Sequence, residues 1–165
     1  MAQAQPIPGL AAEDAYAAAA AKIVAIRARE VADHAHDVLD VSDIERVHDM
    51  RVATRRLRAA LEIFGPCFPP KELGAALAKV KTIADALGER RDRDVAIVTL
   101  EEFAAGMAAP DRPGIQTLIE RMRSEQAEAN EALAQLVDAR QLAALSELLS
   151  ELVTTAEGAG GGTEA

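Results

Sequence analysis

Apolar residues recur at helical spacing along most of the chain, and no stretch alternates between apolar and polar residues for long enough to form a β-strand. This pattern predicts an all-α protein, an antiparallel bundle of about six helices around a four-helix core. The predicted helices cover residues 11–39, 42–64, 70–88, 92–106, 111–138 and a short segment that ends near Val153.

The two chain ends differ in composition from the helical part. Residues 1–9 contain two prolines and a glycine, and residues 154–165 are rich in glycine and threonine. Glycine-rich segments behave as flexible linkers. We therefore expect one domain over residues 10–153, between a flexible N-terminus and a flexible tail.

Local signals set the expected helix ends. Ser42 and Glu45 form the S-x-x-E pattern of a capping box, which predicts that the second helix begins at Ser42. Gly88 is placed to end the third helix as a C-cap. We therefore expect a helix junction there, and the N–H groups at the start of the following helix would attract an anion.

Composition narrows the class of protein. The single cysteine, Cys67, excludes an internal disulfide framework, and no apolar run is long enough for a membrane span. The N-terminus lacks the basic and apolar segments of a secretory signal peptide. We expect a cytoplasmic protein that does not bind membranes.

Charge is distributed unevenly along the chain, whose net charge is −9. Residues 46–93 carry eleven basic and six acidic side chains, whereas residues 1–45 carry three and eight, and residues 94–165 carry four and thirteen. A local positive field in an acidic protein indicates a specific anion site.

The strongest candidate for this site is the segment VHDMRVATRRLRAALEIF, residues 47–64. At about 100° per residue, four of its basic side chains fall within about 80° of one another, nearly opposite the apolar face. The only acid on that side is Glu62, which can pair with Arg58, and Arg56 lies on the other flank of the apolar face. Because like charges four residues apart destabilise a helix by about 0.2–0.5 kcal/mol, this arrangement favours an external anion. The four side chains, which we call the basic stripe, are His48, Arg51, Arg55 and Arg58.

A second basic cluster lies in the segment LGERRDRDV, residues 87–95. Its aspartates are expected to orient its arginines, and Asp92 could alternatively cap the following helix. Lys79 and Lys81 could extend the cluster. Since they are two residues apart and point to different sides of a helix, we expect only one of them to join it.

These two segments, in this order and spacing, resemble the conserved histidine α-helical domain, CHAD, over about residues 10–153. The resemblance implies a helical bundle that binds inorganic polyphosphate without catalysis. The residues predicted to bind polyphosphate are His48, Arg51, Arg55, Arg56, Arg58, Lys79, Lys81, Arg90 and Arg91, with Asp92 and Asp94 in support.

The sequence departs from the family in one respect. CHAD proteins are commonly built from two halves with pseudo-twofold symmetry and a basic motif in each, whereas the C-terminal third of this chain has no histidine. This chain therefore looks like one half, which either works alone with a shallower basic surface or pairs with a second copy, and we expect a twofold homodimer. The alanine-rich first helix or residues 147–153 would supply its contact.

Three other kinds of site were considered. A histidine phosphotransfer module would fit His48 and Arg51, but Val52 occupies a position where such modules need a small residue. A weak divalent metal site could form where Asp33, His36, Asp37 and Asp40 share a face, although a polar helix end is the simpler interpretation, and we expect no metal or cofactor. Nucleic acid is disfavoured, because the chain has no tryptophan, one tyrosine and three phenylalanines to stack on bases.

Catalysis is not expected either, since the sequence contains no P-loop and no pattern of the triphosphate tunnel enzymes. The sequence therefore predicts a non-enzymatic polyphosphate-binding protein, associated with polyphosphate or storage granules or acting as a scaffold.

Overall fold

The computed structural model describes residues 3–160, and the regular structure within that range is entirely helical. The predicted all-α class is confirmed. Residues 3–160 form five α-helices instead of about six, together with two short 3₁₀ turns at Gly65–Cys67 and Ala109–Asp111. The helices are α1 (Tyr16–Ala35), α2 (Glu45–Ile63), α3 (Pro70–Ala105), α4 (Arg112–Ala134) and α5 (Ala139–Gly160).

The helix count differs because α3 continues through Gly88. The predicted C-cap and helix junction at Gly88 are wrong, and so is the anion site expected at a helix start there. A glycine inside a helix costs about 1 kcal/mol relative to alanine. Leu87 and Arg90, on either side of it, are fully buried, so tertiary packing outweighs that local cost.

The start of α2 also differs from the prediction. Ile44 stands at the cap position and α2 begins at Glu45, whose backbone N–H donates to Oδ1 of Asp43 at 3.1 Å. Ser42 instead donates its hydroxyl and its backbone N–H to Oδ1 of Asp40, at 2.7 and 2.9 Å. These two bonds lower the pKa of the Asp40 carboxyl below its usual value of 3.8. Ser42 therefore organises the loop before α2, and the capping box is absent.

The main core lies between α1, α2, α5 and the N-terminal half of α3, and the C-terminal end of α4 adds Leu133 to it. Helix α1 packs against both α2 and α5, and α2 packs against α3. Aliphatic side chains fill this core, as the low aromatic content requires. Its largest fully buried apolar side chains are Met50, Leu57, Leu61, Leu87, Leu133 and Leu152.

The C-terminal part of α3 and the first part of α4 form an antiparallel hairpin beyond this core. Of residues 95–125, which we call the arm, only Ile97 and Ile119 are buried, and neither belongs to the main core. Ion pairs cross the hairpin, from Arg93 to Glu125 and from Arg123 to Glu101. The arm is therefore held by few apolar contacts.

The described residues next to each chain end lie closer to the bundle than their composition indicates. Gln5 donates its backbone N–H to Glu30 of α1, and Lys22 of α1 donates to the carbonyl of Gly9 at 2.6 Å. Helix α5 passes Val153, where the prediction ended it, and buries Ala156 completely. Residues 1–2 and 161–165 of the predicted flexible ends lie outside the described residues.

None of the helices within residues 3–160 is both long enough and apolar enough to cross a membrane.

Candidate functional site

The apolar side of α2 fixes the direction of the basic stripe. Val47, Met50, Leu57 and Leu61 are fully buried between α1 and α3. The stripe lies away from these residues: Arg55 and Arg58 are exposed, and His48 and Arg51 are half-buried. The sequence-predicted face is therefore presented at the surface.

Two arginines of the basic stripe have no counter-ion among the described residues. Arg58 donates to Glu62 at 2.8 Å, which confirms the pair expected from the sequence. Arg51 and Arg55 form no ion pair or side-chain hydrogen bond with any residue between 3 and 160. Their charges are four residues apart, so the stripe carries repulsion that an external anion would relieve.

Helix α3 adds to this surface because Gly88 faces Arg51. A Cβ atom at position 88 would lie 4.0 Å from Nε of Arg51, so the guanidinium passes close to the α3 backbone. Lys81 stands two turns before Gly88 and within about 20° of it around the helix. Lys81 therefore shares the face of α3 that carries Arg51, and it is exposed without an ion-pair partner among the described residues.

Lys79 points to a different part of the molecule. It lines a cleft between α3 and α5, beside Ile83 and Leu145. Of the two lysines, Lys81 is therefore the one on the side of α3 that faces α2.

Arg91 links α3 to the start of α2. Its Nη1 donates to the carbonyl of Ile44 at 2.9 Å, and both Nη atoms lie 3.3 Å from Oε1 of Glu45. The side chain is 19% exposed. Arg91 therefore borders the basic stripe at the His48 end, but it is already paired.

Arg90 has a structural role that the sequence analysis missed. Its side chain is fully buried on the face of α3 that meets α4, so it does not lie at the surface with the predicted polyphosphate ligands. Nε donates to Oδ1 of Asp94 at 2.9 Å, and Nη1 donates to Oδ1 of Asn130. Asp94 also accepts from Gln126, and Asn130 donates to the carbonyl of Leu39.

This buried network joins α3, α4 and the loop after α1. Asp94 orients an arginine, as predicted, but within a helix and in the core. The burial could have been read from the sequence, because Leu87, Arg90, Asp94 and Ile97 continue the i, i+3, i+7 spacing of the apolar face of α3.

The remaining predicted residues lie around this site. Asp92 is exposed in the middle of α3 and caps no helix. Arg93 pairs with Glu89 at 2.6 Å, within the same helix. Arg56 is half-buried on the opposite flank of the apolar face of α2, where the sequence placed it, and it has an interaction of its own.

The sequence profile of the CHAD domain matches residues 22–164. The chain belongs to the CHAD domain family. Its fold is similar to that in the crystal structure of the CHAD domain from the plant Ricinus communis, with a TM-score of 0.73 and 24% sequence identity. That match covers 95% of this chain and 52% of the plant chain, so this chain spans about half the length of its structural relative. No curated protein sequence matches the chain.

In this CHAD domain, the histidine of the first motif lies beside two carboxylates. Potential ligand atoms of Glu45, His48 and Asp49 all lie within 4.8 Å of one another. The sequence signal for this group was the spacing E-x-x-H at residues 45–48, which the sequence analysis overlooked. Glu45 already pairs with Arg91, and Asp49 has another interaction, so both carboxylates are engaged.

The metal ligands considered at the end of α1 do not converge among the described residues. Asp37 pairs with His36 at 2.8 Å and with Arg46 at 3.0 Å, while Asp40 accepts from Ser42. These groups form a polar helix end and loop, which was the simpler interpretation of the sequence.

Proposed function

We propose that this CHAD domain binds inorganic polyphosphate, without catalysis, along the basic stripe of α2 and the adjoining Lys81 of α3. The observation that carries the proposal is the absence of counter-ions for Arg51 and Arg55 within residues 3–160, beside a third unpaired cation at Lys81. Ordinary surface arginines gain by pairing with acids at i,i+4, and these two do not.

Arginine suits this ligand because its planar fork donates two parallel hydrogen bonds to phosphate oxygens. On α2, Arg51, Arg55 and Arg58 follow one another at intervals of three or four residues, about 4.5–6 Å along the helix. A flexible polyanion can follow such a row and place successive phosphates on successive guanidinium groups. His48 adds a further donor at the α2 start.

The other predicted ligands take different roles in this proposal. Arg91 contributes at the edge, by exchanging Glu45 for a phosphate. Arg90 does not contact the ligand in this proposal. Its fully buried side chain stabilises the packing of α3 on α4. Lys79 and Arg56 are left outside the proposed contact surface, on other sides of their helices.

Polyphosphate accounts for this surface better than nucleic acid does. The basic stripe contains no aromatic side chain on which a base could stack. The rest of the chain is strongly acidic, so a long duplex would be repelled outside the stripe. We also propose that the protein acts in the cytoplasm, near polyphosphate or storage granules or as a scaffold.

The decisive experiment is calorimetric titration of the purified protein with long-chain polyphosphate and, in parallel, with duplex DNA. Binding of polyphosphate with at least about tenfold preference over DNA supports the proposal. Equal or tighter binding of DNA would contradict it.

The salt dependence of the same titration tests the site. A polyanion contacted at about five phosphates should give a plot of log K against log salt with a slope on the order of −3, by analogy with single-stranded nucleic acid. A slope near zero would exclude the basic stripe as the contact surface.

The histidine phosphotransfer alternative gives a separate readout at His48. If the domain transfers phosphoryl groups, His48→Gln abolishes labelling by a phosphorylated sensor kinase. Under our proposal, wild-type protein is not labelled, and His48→Gln only weakens polyphosphate binding.

A further inference from the structure

Gly88 lies in the interior of a helix whose backbone does not require a glycine there. Helix α3 stays helical through this residue, and within residues 3–160 the only glycine with a positive φ is Gly9. Glycine inside a helix is destabilising relative to alanine, because it has more conformational freedom to lose on folding. The reason for a glycine at position 88 must therefore lie in the space beside it and not in its φ angle.

The space beside Gly88 borders on the side chain of Arg51. Outside α3 itself, a Cβ atom at position 88 would meet one heavy atom of residues 3–160 within 4 Å, and that atom is Nε of Arg51 at 4.0 Å. The backbone of α2 is not among these contacts, so close approach of two helix backbones does not account for the glycine. The guanidinium of Arg51 lies there without an ion-pair partner among the described residues.

Helix geometry extends this relation to a second level of the surface. Helices α2 and α3 are antiparallel neighbours joined by a short connection. Seven residues make almost two turns, so Lys81 keeps the direction of Gly88 within about 20°. For the same reason Arg58 keeps the direction of Arg51. Because the helices are antiparallel, Lys81 therefore stands near the level of Arg58. We call the surface between α2 and α3 at these two levels the furrow.

We propose that Gly88 is a positioning residue for polyphosphate, because its lack of a side chain keeps the furrow open beside Arg51. This role rests on the proposed function and adds to it the place of the ligand, which lies between α2 and α3. At the level of Arg58, helix α3 supplies the cation of Lys81. At the level of Arg51, it supplies space, so that one guanidinium and the phosphate it binds can lie against the α3 backbone.

The distance of 4.0 Å sets the size of residue that position 88 accepts. The methyl group of alanine would make an ordinary van der Waals contact with Arg51. The γ and δ carbons of leucine reach further and would overlap the guanidinium, which must then turn away from α3. Leucine is also a much better helix former than glycine. Replacement by leucine should therefore weaken binding without weakening the helix.

Both sides of the furrow belong to one chain, so this contact does not require a second copy. Residues 147–153, one of the segments expected to make a twofold contact, bury Leu149 and Leu152 where α5 packs on α1. The apolar area of these two side chains is used within the chain and is not available for a dimer contact.

The test is calorimetric titration of long-chain polyphosphate into the wild type, Gly88→Leu and Gly74→Leu. Gly74 is a matched control, because it lies in α3 within about 40° of Gly88 around the helix, and a Cβ atom there would have nothing within 4 Å. We expect the dissociation constant to rise at least about tenfold for Gly88→Leu and less than about twofold for Gly74→Leu. Gly88→Ala should lose less affinity than Gly88→Leu.

Three further readouts separate positioning from a merely structural role. The melting temperature of Gly88→Leu should equal or exceed that of the wild type, as should that of Gly74→Leu. In a double-mutant cycle, Gly88→Leu should add less than about twofold to the loss caused by Arg51→Ala, because it acts through that arginine. In the absence of ligand, the Nε–H resonance of Arg51 should shift in Gly88→Leu and stay unchanged in Gly74→Leu.

Several results would overturn the role of Gly88. Equal affinity of the two leucine variants would show that position 88 does not shape the site. Losses that add fully in the cycle, or an unchanged Arg51 resonance, would place the effect of Gly88→Leu away from this arginine. A melting temperature well below that of the wild type would assign the lost binding to a damaged fold.

The wild-type titration distinguishes failure of this role from failure of the proposed function. If the wild type binds with the expected salt dependence and Gly88→Leu binds equally well, the function stands and only the place of the ligand is wrong. If the wild type does not bind polyphosphate, the proposed function fails and the role of Gly88 in it fails too, whatever the Arg51 resonance shows.

Discussion

The arginines of α2 and those of α3 form two basic clusters that look alike in sequence but differ in structure. On α3, Arg90, Arg91 and Arg93 each have an acidic partner, at Asp94, Glu45 and Glu89. On α2, Arg51 and Arg55 have none within residues 3–160. A local excess of positive charge is therefore a poor guide to a binding site until the positions of the counter-ions are known.

The two clusters should therefore respond differently to loss of one side chain. Arg90→Ala leaves Asp94 buried and unpaired, and removing one partner of a buried ion pair costs about 3–5 kcal/mol. Arg55→Ala, the matched change on the stripe, should alter the free energy of unfolding by less than about 0.5 kcal/mol. Urea unfolding of both variants measures the difference, and equal effects would show that the clusters are not distinct.

A double replacement separates the unpaired charge from lost packing. Arg90→Met with Asp94→Leu removes both charges and keeps apolar volume, so it should recover most of the stability lost in Arg90→Ala. If the double variant does not recover this stability, the hydrogen bonds to Asn130 and Gln126 contribute more to the free energy of unfolding than the pairing of the two charges does.

The second prediction concerns binding. Arg51→Glu with Arg55→Glu should weaken polyphosphate binding by at least about 100-fold, because each charged hydrogen bond contributes about 1.5–3 kcal/mol. The melting temperature should stay the same or rise slightly, since the like-charge repulsion disappears. Calorimetry and a thermal melt measure the two effects.

A charge-matched control makes this prediction specific. Arg29→Glu with Arg140→Glu changes two exposed arginines on α1 and α5, and the net charge falls by the same amount in both double variants. The control should keep most of the affinity. Equal loss in both would mean that binding follows net charge and not the basic stripe.

The smallest effect on stability is expected at Asp40, in the loop between α1 and α2. Hydrogen bonds from Ser42 lower its pKa from 3.8, and the charges of Arg46 and Arg90 add to this. A lowered pKa in the folded state stabilises the protein above pH 3.8, and the effect disappears as the pH falls through the folded-state value. The small difference in melting temperature between wild type and Asp40→Asn at pH 7 should therefore vanish in strong acid. If the difference in melting temperature does not change with pH, the effect of Asp40→Asn comes from packing and not from the charge of the carboxylate.

Helical periodicity was sufficient to predict the fold class and the orientation of α2. It failed at Gly88, where a local stop signal conflicted with an apolar spacing that continues through Val80, Ile83, Leu87 and Ile97. Long-range packing keeps α3 helical through Gly88, and a single glycine in the sequence gives no information about that packing. The capping box at Ser42 failed for a similar reason, since a nearby aspartate competed for the same hydroxyl.

The candidate site was predictable on one helix and not between helices. The sequence gives the relative angles of His48, Arg51, Arg55 and Arg58, because they share a helix. Whether Lys79 or Lys81 joins them depends on how α3 is rotated against α2, which only the packed structure reveals. Arg90 and Asp94 lie on apolar-face positions of α3, and this spacing was the overlooked sign of their burial.

The uninterrupted α3 makes a mechanical connection that a break at Gly88 would have removed. The helix has 36 residues and is about 54 Å long. The part beside the basic stripe and the part in the arm therefore move together as one rigid helix. A bend of about 10° at Gly88 would swing the far end of the helix by about 4 Å. A small rotation of α3 beside Arg51 therefore produces a larger displacement at the tip of the arm. Conversely, a force on the tip of the arm would rotate α3 beside Arg51.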